Sequence, residues 1–230
     1  MPLTIFRPIL AGALLPERLL GCLGAVACIA LTMVVCGQFL PVSDMPVIVA
    51  PLGASAVLIF AVPSSPLAQP WSVIGGNTIS ALVGVAAYHA IPDLFVAAGV
   101  AVGGAILVMS LLRCLHPPGG AAALTAVIGS AGIHAAGYAF ALAPVAINSV
   151  ALVLLAILFH RATGRSYPHR AALAPAAIAA ERTAAGFHPD DIDAALADMH
   201  ESFDISREDL EVLLSRAELH ARARGTGGPA

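Results

Sequence analysis

The chain has 230 residues, 59% hydrophobic and 11% charged, with a formal net charge of −3. A soluble domain carries about 25% charged and 45–50% apolar residues. The composition therefore excludes an ordinary globular enzyme, a disordered chain and a nucleic-acid binder with a basic face.

Charge is also unevenly placed. Residues 1–177 hold Arg7, Arg18, Arg113, Arg161, Arg165 and Arg170 against Glu17, Asp44 and Asp93, while residues 178–230 hold five arginines against eleven acids, and lysine is absent. This division predicts a transmembrane domain over 1–170, then a linker and an acidic cytoplasmic tail over 171–230.

Between Leu19 and His160 only Asp44, Asp93 and Arg113 carry charge, leaving uncharged runs of 25, 48, 19 and 47 residues. A spanning helix takes about 20 apolar residues. The runs hold one, two, one and two segments, expected at 19–40, 45–62, 72–91, 94–112, 116–132 and 138–160. The first run is too long, and followed by too many others, for a cleaved signal peptide. Its Cys22, Cys28 and Cys36 read as small core residues. With Cys114 they form no CxxC pair or ligand set, so no disulfide, metal or cofactor is expected.

Arginine favours cytoplasmic loops. Arg7 and Arg18 precede the first segment, and Arg161, Arg165 and Arg170 follow the last. Both termini are thus expected on the cytoplasmic side of the inner (plasma) membrane. Six crossings put Asp44 and Asp93 outside and Arg113 inside, in accord with the rule. Four crossings with re-entrant segments at 45–62 and 116–132 also leave both ends inside but move Arg113 outside.

The second and fifth segments are interrupted. Pro46, Pro51 and Gly53 break one, and His116-Pro117-Pro118-Gly119-Gly120 opens the other. Proline lacks an N–H and disfavours helix in the residue before it. Helix is expected from near Leu52 and near Gly119, making both segments half-helices preceded by extended backbone. An internal repeat agrees. Pro51-Leu52-Gly53-Ala54-Ser55-Ala56 matches Pro118-Gly119-Gly120-Ala121-Ala122-Ala123, and Asn77-Thr78-Ile79-Ser80 resembles Asn148-Ser149-Val150-Ala151. Two three-segment copies have opposite orientations, so the expected fold is an all-α membrane protein of six segments in two inverted repeats.

Irregular backbone at membrane depth survives only inside protein or beside a wet cavity. The first N–H groups of each half-helix lack intrahelical acceptors, and the helix dipole adds about half a positive charge there. Two such starts meeting near the midplane make an anion site. The candidate substrate-binding residues are Gly53, Ala54, Ser55, Asn77, Thr78, His116, Gly119, Gly120, Ala121, Asn148 and Ser149. A core without carboxylates suits a small anion better than a metal cation. Structural roles compete at several of these positions. Asn77 and Asn148 can simply bond across helices, and His116 can be a proton carrier, an anion ligand or a ring held by backbone. Arg113 can mark topology or recruit anions. Gly99-Val100-Ala101-Val102-Gly103 fits close helix packing, with homo-oligomerisation one outlet.

After Arg170, an Ala/Pro-rich linker is expected to about Ala180. A helix should follow from Pro189, with Ile192, Leu196, Met199 and Phe203 as its apolar face. A second helix, capped by Ser206, should bury Leu210, Leu213, Leu214 and Ala217, so the two form a hairpin that packs on itself or on a partner protomer.

Leu115-His116-Pro117-Pro118-Gly119-Gly120-Ala121 resembles the signature of the HPP family of integral membrane proteins. Gly53-Ala54-Ser55-Ala56, Ser65-Pro66-Leu67-Ala68-Gln69-Pro70 and Ile74-Gly75-Gly76 resemble that family's second signature. The resemblance covers about residues 15–160. Members in plants and cyanobacteria are linked to nitrite transport, which implies a permease for a small anion. The family is often described with four transmembrane helices, against the six segments read here. Some relatives continue from an acidic tail into paired CBS domains, which this sequence lacks, so nucleotide sensing is not implied.

The leading expectation is a transporter of a small monovalent anion such as nitrite, its partners being the bilayer and that anion. The alternatives are a passive anion channel and a non-transporting scaffold or sensor acting through its tail. No nucleophile–base pair points to an enzyme.

Overall fold

Proline writes most of the helix starts in this chain. Its missing N–H is harmless in the first helical turn, and its fixed φ suits entry into a helix. The computed structural model describes residues 14–38, 46–170, 175–186, 188–199 and 202–226. Among these residues the structure is helical, without strands. Arg7 and Asp44, used above to orient the first segments, lie outside them.

Helix α1 is Leu15–Gly37, α2 Pro51–Ala61, α3 Pro70–Ala90, α4 Leu94–Leu111, α5 Pro117–Ile128 and α6 Ala131–Ala136. A π-helical stretch, Ala141–Ala146, leads into α7, Ile147–Ala162. Proline occupies the first or second position of α1, α2, α3 and α5. Helix α4 instead starts on Asp93, whose carboxylate accepts from the Val96 N–H at 2.9 Å.

Among the described residues, four helices are long and apolar enough to cross a membrane: α1, α3, α4 and the continuous stretch Ala141–Ala162. The shorter α2 and α5, of 11 and 12 residues, are apolar as well. At 1.5 Å per residue they reach about 16–18 Å, roughly half of a hydrocarbon core. They begin at Pro51 and Pro117, slightly earlier than the expected Leu52 and Gly119, because each proline is itself the first helical residue. The last membrane segment is more broken than expected. Helix α6 and the π-helical stretch, where Ala143 is non-helical before Pro144, fill the residues that precede α7.

The chain divides into two compact units, Met1–Pro168 and His169–Ala230. In the first, α3 is the central element and packs on α4, α5, α7 and the π-helical stretch. Small residues permit this closeness. A Cβ on Gly84 would overlap the Ala123 carbonyl of α5, and one on Gly119 would lie 2.6 Å from Ser80 Oγ. Helix α4 buries an alanine stripe, Ala97, Ala101 and Ala105, ending in Met109, and turns Phe95, Leu107 and Leu111 outward. Helices α1, α2 and α7 close around Leu52, Ile59, Phe60 and Leu152. A Cβ on Gly21 of α1 would stand 2.5 Å from the Phe60 carbonyl.

The second unit contains α8 (Pro175–Ala185), α9 (Pro189–Met199) and α10 (Arg207–Thr226). The linker expected to Ala180 is thus replaced, from Pro175 onward, by a helix. Ala176, Ala177, Ala179 and Ala180 are the strongest helix formers available, and Pro175 starts them. Residues 171–174 of that linker lie outside the described set. Gly186, at φ +84°, ends α8, and the Arg222 guanidinium donates to the Ala184 carbonyl at 3.1 Å.

The expected apolar faces are partly wrong. Ile192 is buried, but α9 stops at Met199, and both Met199 and Phe203 are exposed. On α10, Leu213 and Ala217 face outward, while Ser215 is buried and Glu211 pairs with Arg182 of α8 at 2.9 Å. Leu210 and Leu214 are half-buried as expected, but Glu211, Ser215, Glu218 and Arg222 share a neighbouring face at helical spacing, which the Glu211–Arg182 pair and the Arg222–Ala184 bond hold toward α8. Ser206 caps α10 as expected, accepting from the Asp209 N–H at 3.1 Å.

Replacing Gly84 with valine should destabilise the protein by about 3 kcal/mol or more, because Cβ meets fixed backbone. Replacing Gly103, which has open space around its Cα, should change stability by less than about 1 kcal/mol. Thermal unfolding of the two variants in the same detergent checks this difference.

Candidate functional site

The backbone ahead of α2 is bent, with Ala50 already at helical φ/ψ, and not extended as expected; only His116 ahead of α5 is extended. The bent stretch needs partners, because hydrocarbon supplies none. Asn148, fully buried on α7, provides them. Its Oδ1 accepts from the Val49 N–H at 3.0 Å, and its Nδ2 donates to the Val47 carbonyl at 2.9 Å. One side-chain amide thus stands in for a strand neighbour on both sides of Ile48.

The other end of α2 is held by cations and donors. Arg18 of α1 donates to the Ala61 carbonyl, and His160 of α7 lies with Nε2 3.1 Å from the Ile59 carbonyl. Arg165 follows close behind, its backbone N–H donating to the His160 carbonyl at 2.8 Å. Positive groups at a helix C-terminus complement its dipole. The negative end of α2 therefore faces the arginine-rich end of the bundle, and its positive end points inward.

That inward end meets the start of α5. Ser55 Oγ lies 2.8 Å from His116 Nε2, and His116 is the residue immediately before α5. His116 Nδ1 lies 2.8 Å from the Leu67 carbonyl, in the connection between α2 and α3. A carbonyl can only accept, so Nδ1 carries a proton. Asn77 of α3 completes the group, its Nδ2 donating to Ser55 Oγ at 3.1 Å and to Ser149 Oγ at 3.3 Å. Ser149 also donates to the Val145 carbonyl at 2.9 Å. Ser55, Asn77, His116, Asn148 and Ser149 are all fully buried.

Of the sequence candidates, the structure therefore unites Ser55, Asn77, His116 and Ser149 in one hydrogen-bonded group. Asn148 works beside it on the backbone of 47–49. Gly119 is buried under Ser80 and Gly76, and Gly120 is half-buried. Thr78 is half-buried, with its hydroxyl unpaired. Gly53, Ala54 and Ala121 lie on exposed faces.

The backbone amides differ from expectation. Leu52 N–H donates to the Val49 carbonyl and Gly53 N–H to the Ala50 carbonyl, each at 3.0 Å, and Gly119 N–H donates to the His116 carbonyl at 2.8 Å. Tight bonds three residues back close the first turns, and Pro51, Pro117 and Pro118 have no N–H to offer. The helix starts present their dipoles and neighbouring side chains more readily than free amides.

Sequence reasoning missed Ser80, Arg18 and His160 as participants. Ser80 lies one turn beyond Asn77, and its buried hydroxyl is without a partner, as is Asn77 Oδ1. The three-residue spacing of Asn77 and Ser80 was the available signal. Nothing in the sequence paired His160 with a carbonyl 101 residues away.

A model of the HPP family's transmembrane region matches residues 12–168. Two transmembrane proteins of Dictyostelium discoideum are similar over shorter stretches. One is 45% identical over 86 residues, which is 36% of this chain and 30% of that protein. The other is 48% identical over 75 residues, 31% of this chain and 24% of that protein. The chain thus spans less than a third of the length of these curated relatives. No solved structure matches. Family and apolar helices together make this a multi-pass membrane protein.

Changing Asn148 to alanine should leave the Val49 N–H and the Val47 carbonyl unpaired, costing about 1–3 kcal/mol for each group. Thermal unfolding in detergent is the check. The loss should exceed that of Thr78→Ala, which removes a hydroxyl that has no partner.

Proposed function

The chain belongs to the HPP transmembrane family, and from that premise we propose that it carries a small monovalent anion, such as nitrite, across the membrane. The observation that supports this reading is the bond between Ser55 on α2 and His116 at the start of α5. It joins two half-helix starts whose dipoles each contribute about half a positive charge. No acidic side chain occurs between Asp44 and Asp93 or between Asp93 and Glu181, so nothing there repels an anion.

In this reading α1–α2–α3 and α4–α5–α7 are the two inverted units, with the anion held where their broken middle helices approach. Inverted units with interrupted helices are a recurring design of secondary transporters. Ser55, Asn77, Thr78 and Ser149 supply neutral donors, and Asn148 fixes the backbone beside them. The amides of Gly53 and Gly119 contribute as the anion exchanges places with the Ala50 and His116 carbonyls that they now bond, and Ala54, Gly120 and Ala121 follow them in the first turns. Both termini are assigned to the cytoplasm and the protein to the inner membrane. No catalytic step is assigned.

Nitrite uptake into proteoliposomes tests the function, and a rate equal to that of protein-free liposomes would rule it out. Gly53 has no atom within 4 Å of a built Cβ, so Gly53→Leu should leave the fold intact. Flux should nevertheless fall about tenfold or more if the anion passes this face. Deleting residues 178–230 should leave flux unchanged, whereas a scaffold acting through its tail would lose function.

A further inference from the structure

Around His116 the hydrogen bonds leave one proton with two destinations. Asn77 Nδ2 donates to Ser55 Oγ, so one lone pair of that oxygen is occupied. The Ser55 hydroxyl proton can then go to His116 Nε2, 2.8 Å away, or to the Pro51 carbonyl, 3.2 Å away. His116 Nδ1–H is committed to the Leu67 carbonyl in either case.

Each choice fits one protonation state of the ring. With neutral His116, Ser55 donates to Nε2. With His116 protonated, Nε2–H donates to Ser55 Oγ, and the serine turns its own proton to the Pro51 carbonyl. Both arrangements leave every participating donor paired. A buried histidine with a good partner in only one state would resist changing; here the hydrogen-bond partners suit both states, and the burial of the ring is what a proton must be drawn in against.

An anion in this region also needs a countercharge. Moving a small ion into a medium of low dielectric is costly, and neutral donors offset only part of that cost. Among the described residues no cation is seen to contact His116, and Arg113, three residues before it, is exposed. Among the described residues, α2 contributes Ser55, α3 contributes Gly76 and Asn77, and α4 contributes Met109. The titratable neighbours are the Cys114 thiol, two residues away, and the Tyr167 phenol, which donates to the Ala68 carbonyl at 2.9 Å. Burial pushes the Tyr167 phenol upward, so it stays protonated and neutral. His160 is engaged at the opposite end of α2.

We propose that His116 and Ser55 form the proton-carrying pair of the transporter. One proton binds the Nε2 lone pair as each anion enters, and the Ser55 hydroxyl rotates from Nε2 to the Pro51 carbonyl. On release the proton leaves Nε2 and the hydroxyl swings back. The inference rests on the anion-transport reading above and names its coupling ion. One anion moving with one proton carries no net charge, so transport is electroneutral.

Two measurements on the full chain test this. The first is nitrogen NMR of histidine-labelled protein in lipid nanodiscs, with His116→Gln assigning the signal. Nε2 should pass from unprotonated to protonated as pH falls, while Nδ1 keeps its proton throughout. Ser55→Ala removes a bond that is stronger to the charged ring than to the neutral one. The transition should therefore move to lower pH, by about one unit, and Ser55→Thr should restore it. An Nε2 that stays unprotonated wherever the protein remains folded would overturn the pair, as would an unshifted transition in Ser55→Ala.

The second is nitrite uptake with membrane potential clamped. An inward proton gradient should accelerate the wild type, and His116→Gln should abolish that acceleration. Wild-type flux indifferent to the gradient would overturn the coupling. Absence of any nitrite flux would remove the anion reading and the coupling with it, while the NMR titration still decides the pair.

Discussion

A backbone that leaves helical geometry inside a membrane must find substitutes for water. Here the substitutes are few and specific. Asn148 serves Val47 and Val49, His160 and Arg18 serve the end of α2, and His116 serves the carbonyl of Leu67. Prolines at the helix starts lessen the demand, since they remove donors that would otherwise need acceptors. The whole arrangement of α2 and α5 depends on this satisfaction of polar main chain by distant side chains.

Close packing makes those distances possible. Gly76 and Gly84 on α3, with Gly119 on α5, let the two backbones approach until a methyl group would not fit. His116 can reach Ser55 because Gly76 yields the space beneath its Cβ. Membrane helices gain little from burying apolar surface against each other, and close contact of small residues compensates. Glycine here serves packing on one face of α3, whereas Gly99 and Gly103 on α4 have nothing against them.

Much of the membrane domain was legible in sequence because its signals are local. Uncharged runs marked α1, α3, α4 and α7, and Pro51 and Pro117 marked the broken segments. Ser55, Asn77, His116 and Ser149 stood out as polar residues in apolar surroundings, and the fold does bring them together. What local pattern could not convey was division of labour. Asn77 and Asn148 occupy matching motifs, yet one bonds side chains and the other bonds backbone, a difference set by which neighbours the fold supplies. The first-turn amides were expected to be free, but the residues just before each helix curl back to accept from them. In the tail, polar contacts between α8 and α10 rotate the buried face away from Leu213 and Ala217 toward Glu211 and Ser215, a turn that hydrophobic periodicity did not suggest.

Helix α7 grips α2 twice, through Asn148 before its start and through His160 near its end. The two gripping residues are 12 positions apart, about 18 Å along α7, which nearly equals the length of α2 itself. A short helix pinned at both extremities has little freedom to pivot alone. Rearrangement of the bundle would have to treat α2 and α7 as a single lever, and the contact of Ser55 with His116 and Asn77 is the seam along which that lever would part from α3 and α5.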